Sequence, residues 1–262
     1  MQNFNYHSHT KRCGHAVGED EEYVLEAIKN GYKKMGFSDH APYKNGYSST
    51  ERMHDYELKQ YIESVKHLQQ KYKDQIDIYI GLEFEFMEEQ AEEIREYRKM
   101  MDYMIIGQHG ASLYEPDFYD CNSDEDVRRY TSLLVKACDE GLADIIAHPD
   151  LFMYGKEEWT KACERAAHDI CACAQRNNIP IEVNLNGIKY GKQQLGKEVR
   201  YTYPYRAFWE IVQQYPIKVV YGLDAHFPKK YADQECFDLI NKEILYDLSL
   251  DFLDELNFKH KL

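Results

Sequence analysis

The chain has 262 residues, is 44% hydrophobic and 30% charged, and carries a formal net charge of −14 at pH 7. That length and apolar content suit one large α/β unit with a real core and exclude a mainly disordered chain, while the negative balance disfavours nucleic acid, whose phosphates are neutralised by lysine and arginine. No apolar run approaches the roughly 18 to 20 residues that span a bilayer, and the N-terminus has neither a basic n-region nor an apolar h-region, so a cytoplasmic protein without a membrane partner is expected.

Taken in chain order, periodicity and end signals predict strands alternating with helices. A strand over 4–7 precedes a helix over 21–31, and a strand over 35–39 precedes a helix over 56–72. Strands at 76–86, 103–108 and 144–148 are followed by helices at 88–100, 124–141 and 158–177. A strand over 181–185, a helix over 205–215, a strand over 218–223 and a helical pair from residue 232 onward complete the series. Asp124 reads as an N-cap, Gly31 and Gly141 as C-terminal stops, and Pro204 marks a helix start. No linker interrupts the pattern, so residues 1–262 are expected to form a single domain. Seven strands each followed by a helix imply a parallel sheet closing into a barrel, with its active site at the C-terminal mouth of the strands. The seven cysteines, odd in number and set in helical stretches, are expected to be reduced core thiols; Cys171 and Cys173, two apart on a helix, point to different faces.

The histidines follow that barrel rule. Of the eleven, His7 and His9 end the first strand, His40 the second, His109 the fourth, His148 the fifth and His226 the seventh, with Glu83 late in the third. His54, His67, His168 and His260 fall outside the pattern and are expected to be surface or capping residues. His7-Ser8-His9 puts two imidazoles on one face of a strand end, and Gly14 lets the following loop bring His15 back over the same mouth. In Gly81-Leu82-Glu83-Phe84-Glu85-Phe86 the two glutamates share one face and the apolar residues the other. A carboxylate inside a barrel wall is costly unless it is paired or metal-bound. With Ser38-Asp39-His40-Ala41-Pro42, Gly107-Gln108-His109-Gly110, Ala147-His148-Pro149-Asp150 and Gly222-Leu223-Asp224-Ala225-His226, the pattern points to a polynuclear metal site and hydrolytic chemistry.

These motifs, in this order, resemble the polymerase and histidinol phosphatase (PHP) superfamily, and within it the stand-alone L-histidinol-phosphate phosphatases. The resemblance implies a distorted (β/α)7 TIM-like barrel with three divalent metal ions of zinc, iron or manganese. It implies His7, His9, Glu83 and Asp224 as ligands of the first ion, a bridging Glu83 with His109 and His148 at the second, and His15, His40 and His226 at the third. Glu83, Asp224 and His226 would then carry catalysis, converting L-histidinol phosphate and water to L-histidinol and phosphate in histidine biosynthesis. Family members hold the phosphate with basic residues in the loops after the fifth and sixth strands. Here Lys156, Lys189, Lys192, Lys197 and Arg200 lie there, although the arginine expected after the His-Pro pair is missing and Lys189 stands where another arginine is expected. Lysine offers phosphate a point charge without the bidentate fork of arginine. Glu115 and Asp117 are candidates for the ammonium and imidazole of the substrate. The alternatives are a phosphodiesterase or a phosphatase of another small metabolite on the same fold, and a non-catalytic metal-binding regulatory domain.

Overall fold

Eight parallel strands form one curled sheet, hydrogen-bonded in the order β1 (Phe4–Asn5), β2 (Lys34–Phe37), β3 (Asp77–Phe84), β4 (Tyr103–Ile106), β5 (Ile145–Ile146), β6 (Ile181–Asn184), β9 (Lys218–Gly222) and β10 (Asp251–Phe252). β7 (Gln193–Leu195) and β8 (Glu198–Arg200) make a separate antiparallel hairpin. The structure is a computed structural model and describes residues 2–44, 51–120 and 123–261. Helices α1 (Asp20–Lys29), α2 (Leu58–Tyr72), α3 (Ala91–Met100), α4 (Asp124–Asp139), α5 (Lys161–Asn177), α6 (Arg206–Val212) and α7 (Gln234–Glu243) follow the strands. Among the described residues, no helix is long and apolar enough to cross a membrane.

Side-chain alternation on β3 explains the two layers. Ile78, Ile80, Leu82 and Phe84 belong to the large core between strands and helices, whereas Tyr79 joins a smaller interior cluster with Phe4, Tyr6, Tyr103, Ile105 and Ile145. The interior is tight: a Cβ at Gly36 or Gly81 would come within 2.3 or 2.4 Å of the Tyr103 side chain. Only glycine leaves room for that ring, whose hydroxyl donates to the Tyr6 carbonyl at 2.7 Å and the Phe37 carbonyl at 3.0 Å. At the mouth, the chain after β1 meets the chain after β9 through His9 N to Ala225 O at 2.9 Å and Ala225 N to His7 O at 3.1 Å.

All seven expected strands are found, several of them shorter, and the end of the chain needs correction. The segment after α7 is not a second helix: β10 pairs with β9, and Leu253, Leu256 and Phe258 pack against the interior cluster. An open sheet edge on β9 and an uncovered apolar barrel end offer this tail both hydrogen bonds and burial. The N-cap of α4 is Ser123, whose hydroxyl accepts from Asp126 N at 3.1 Å; Asp124 is the first helical residue. The six cysteines among the described residues are free and buried, as expected, and Cys121 lies outside the described residues.

Candidate metal centre

Glu83 lies in the last part of the ladder on β3 and His15 follows the 3-10 turn Lys11–Cys13, while the other candidate ligands sit just past the regular part of their strands, where the backbone departs from simple alternation. Tyr6 points into the interior cluster, yet the next residue, His7, also faces inward, toward Glu83. The ladder stops at Asn5, and the break switches the phase so that His7 and His9 both serve the mouth. His148 and Asp224 reach it from positive φ values of 28° and 46°. Non-glycine residues held there store strain of about 1 to 3 kcal/mol each, a feature concentrated at functional sites.

Glu83 is the hub. Its Oε2 lies 3.3 Å from His7 Nε2, His9 Nε2 and His40 Nδ1, and its Oε1 lies 2.9 Å from His148 Nε2 and 3.6 Å from His109 Nε2. Asp224 Oδ1 is 3.3 Å from His9 Nε2, 3.6 Å from His7 Nε2 and 3.2 Å from His226 Nδ1. His15 is exposed at the rim but brings Nε2 to 2.9 Å from His226 Nε2. All nine candidate ligands are thus gathered at one mouth. His54 caps a short 3-10 turn, His168 bonds Tyr215 and His260 stacks on Tyr79, and none of the three lines the cavity there.

Burial and charge set the protonation states. Burial would raise the Glu83 and Asp224 carboxyls, but the surrounding imidazoles outweigh it and hold both well below the usual carboxylate range. Burial, aided by His226, pushes His9 down to about 3 and drives His40 well below the ordinary imidazole value. Burial opposes charge on His7, yet Glu182, Asp224 and Glu83 hold its pKa well above that value. Against burial, the same carboxylates raise His109 to about 8 and also raise His226, so His9 and His40 are neutral donors already, whereas His7, His109 and His226 would give up a proton when a divalent cation binds.

The donor set fits such cations. His7 Nε2 and both ring nitrogens of His9 are buried without any hydrogen-bond partner, a loss of about 1 to 3 kcal/mol per group that ligation would recover. Four trios, His7-His9-Asp224, His7-Glu83-His148, His9-His40-Glu83 and His15-His40-His226, each bring three donor atoms within 4.8 Å of one another.

Residues behind the ligands are part of the same device, and Glu182 escaped the sequence reading. It bonds His7 Nδ1 at 2.9 Å and fixes the tautomer that presents Nε2 to the mouth. The available signal was an acid within an apolar strand, the same signal that picked out Glu83. Glu85 does this for His109, at 3.0 Å from Nδ1, and is itself held by Arg52 and Tyr43. Glu182→Gln is expected to lower metal affinity by about 10- to 100-fold with the fold intact, as loss of such outer partners does; isothermal titration with zinc checks this.

The proposed substrate-binding residues divide. Lys189 lines the cavity at the mouth, as does Asp117. Glu115 does not line it and pairs with Arg129 on the exposed surface. Lys156 is buried, off the cavity lining, and donates to Asp124 at 3.0 Å. Arg200, expected to be a phosphate clamp, faces a different way. Its guanidinium donates to the carbonyls of Tyr201, Thr202, Met153 and Lys156 at 2.6 to 2.9 Å and covers the Tyr205 ring. It therefore clasps the loop after β5 to the strand end of β8. Arg200→Ala should destabilise the protein by about 3 kcal/mol, since carbonyls lose their donors, while metal content per folded molecule stays at the wild-type level; denaturant titration with elemental analysis reads both.

A curled parallel sheet with buried imidazoles and carboxylates at its C-terminal mouth is the framework of a metal-dependent phosphatase. Residues 5–186 match the PHP domain, and the chain belongs to the PHP domain family. It is 29% identical over 232 residues to the probable histidinol-phosphatase of Deinococcus radiodurans, with 85% of each protein covered. It is 24% identical over 268 residues to a probable phosphatase of Aliivibrio fischeri strain MJ11, covering 98% of this chain and 94% of that one. Its fold matches the crystal structure of histidinol phosphate phosphatase from Lactococcus lactis, complexed with zinc, L-histidinol and phosphate. The TM-score is 0.70 at 18% identity, over 96% of this chain and 95% of the other.

Proposed function

We propose that this protein hydrolyses L-histidinol phosphate to L-histidinol and phosphate, using divalent cations held by His7, His9, His15, His40, Glu83, His109, His148, Asp224 and His226. The observation that carries the reading is the cavity of about 370 Å³ whose lining includes Glu83, His109, Asp224 and His226 together with Lys189, Asp117 and several tyrosines. When bound, divalent cations supply Lewis acidity to phosphoryl oxygens and acidify water at neutral pH. The protein orients their ligands through Glu182 and Glu85. Lys189 contributes a point charge for the phosphate oxygens. Asp117 gives the cationic end of the substrate a carboxylate, and the Tyr119 ring, stacked on His109 at 5.7 Å, supplies a flat apolar surface. The names of the Deinococcus radiodurans relative and the Lactococcus lactis structure support the same substrate.

A second reading, a phosphatase of another small metabolite, is favoured by the positions of Lys156 and Arg200, both engaged in structural contacts. Among the described residues, Arg52 and Lys189 are the lysine and arginine side chains lining the cavity, and Arg52 is paired with Glu85. A panel of phosphate esters separates the two readings. The first predicts preference for L-histidinol phosphate over nucleotides, sugar phosphates and diesters; a better substrate among those would replace it. Lys189→Ala is expected to reduce kcat/KM by about 1.5 to 3 kcal/mol, the worth of a charge-assisted hydrogen bond, at unchanged metal content. Steady-state kinetics with elemental analysis checks both halves.

A further inference from the structure

The turn after β1 carries a thiol to which the nine-ligand reading assigns no task. Cys13 ends the 3-10 turn Lys11–Cys13, and Gly14, at φ 82°, reverses the chain so that His15 returns to the mouth. The Cys13 side chain is fully buried and forms no disulfide. Its sulfur, one ring nitrogen of His9 and one of His226 lie within 4.8 Å of one another. A second observation points the same way: His9 is completely buried, and while its Nε2 faces Glu83 and Asp224 at 3.3 Å, its Nδ1 has no hydrogen-bond partner. Burial and the Asp39 carboxylate push the Cys13 thiol up to about 12 and outweigh the backbone N–H groups of His15 and Ala16 beside it, so the side chain is a thiol until a cation displaces its proton.

We propose that Cys13 is a thiolate ligand, together with His9 and His226, of a divalent cation at the mouth, and that its sulfur makes this position selective for zinc over manganese. The inference rests on the metal-dependent reading of the site. On ligation the S–H bond breaks, the sulfur–metal bond forms, and the proton passes to solvent, since a coordinating thiol is deprotonated outright. Thiolate donors suit zinc, while carboxylate and water suit manganese. A sulfur ligand at a mouth otherwise built of imidazole and carboxylate therefore discriminates between ions that the remaining donors accept alike.

Cobalt(II) loaded into the full-length metal-free protein supplies the test. The expected spectrum has visible d–d bands and, in the near ultraviolet, a sulfur-to-cobalt charge-transfer band that disappears in Cys13→Ser and in Cys13→Ala. Zinc affinity in both variants should fall by more than the roughly 10- to 100-fold that loss of an outer hydrogen-bond partner costs, while manganese affinity changes much less. Far-ultraviolet circular dichroism establishes that the variants are folded. If one is not, the wild-type spectrum and the other variant still decide. Visible bands without the charge-transfer band, or a charge-transfer band that survives in Cys13→Ser, would overturn the sulfur ligand and leave the metal-dependent reading standing. Absence of any cobalt bands would overturn both.

Discussion

Glu83→Gln is expected to leave a folded protein that has lost more than about 100-fold in kcat/KM, beyond the 10- to 100-fold attached to outer partners of metal ligands. The reason lies in how many groups depend on one carboxylate. Three imidazole nitrogens lie at 3.3 Å from Oε2 and a fourth at 2.9 Å from Oε1. Glu83 also belongs to two of the donor trios. An amide keeps the shape and so the fold, but it is neutral and turns one acceptor into a donor aimed at the place a cation would occupy. Metal content should fall with activity. Near-normal turnover at full metal content would remove Glu83 from the bridging role.

Gly107→Ala should damage the site nearly as much, although residue 107 contributes no side chain to it. A Cβ there would sit 1.9 Å from Glu83 Oε1 and 2.9 Å from His148 Cε1. The Glu83 carboxylate is 1% exposed and ringed by histidines, so it has little room to swing aside. The methyl group must push it off the His148 side of the mouth. The expected stability loss is about 1 to 3 kcal/mol, the range for overpacking a tight site. The expected loss of bound metal and activity per folded molecule is much larger. Thermal denaturation followed by elemental analysis and kinetics separates the two effects, and a Gly107→Ala protein with full metal content would contradict the packing argument.

Much of this arrangement was legible in the sequence because strand alternation is a local property. Glu83 and Glu85 against Leu82, Phe84 and Phe86 announced a wall with a polar inner face, and histidines at the strand ends marked the mouth. What could not be read depends on contacts between distant segments. Arg200 and Lys189 are both loop cations in the same stretch; their different tasks follow from where four carbonyls fall around Arg200. β10 has two residues, too few to show a period, and it forms because β9 presents an edge. The inward turn of both Tyr6 and His7 requires a backbone break that no pattern of hydrophobicity encodes. Gly36 and Gly81 are empty places for the Tyr103 ring, a relation visible only once three strands are side by side.

The central claim, a phosphatase whose turnover of L-histidinol phosphate depends on cations held at this mouth, is tested most directly by phosphate release from that ester. The measurement uses protein stripped with a chelator and then reloaded with zinc, manganese or iron. The account predicts that stripping abolishes release and that reloading restores it. Release that survives complete metal removal, or reloaded protein with stoichiometric metal and no release, would contradict it.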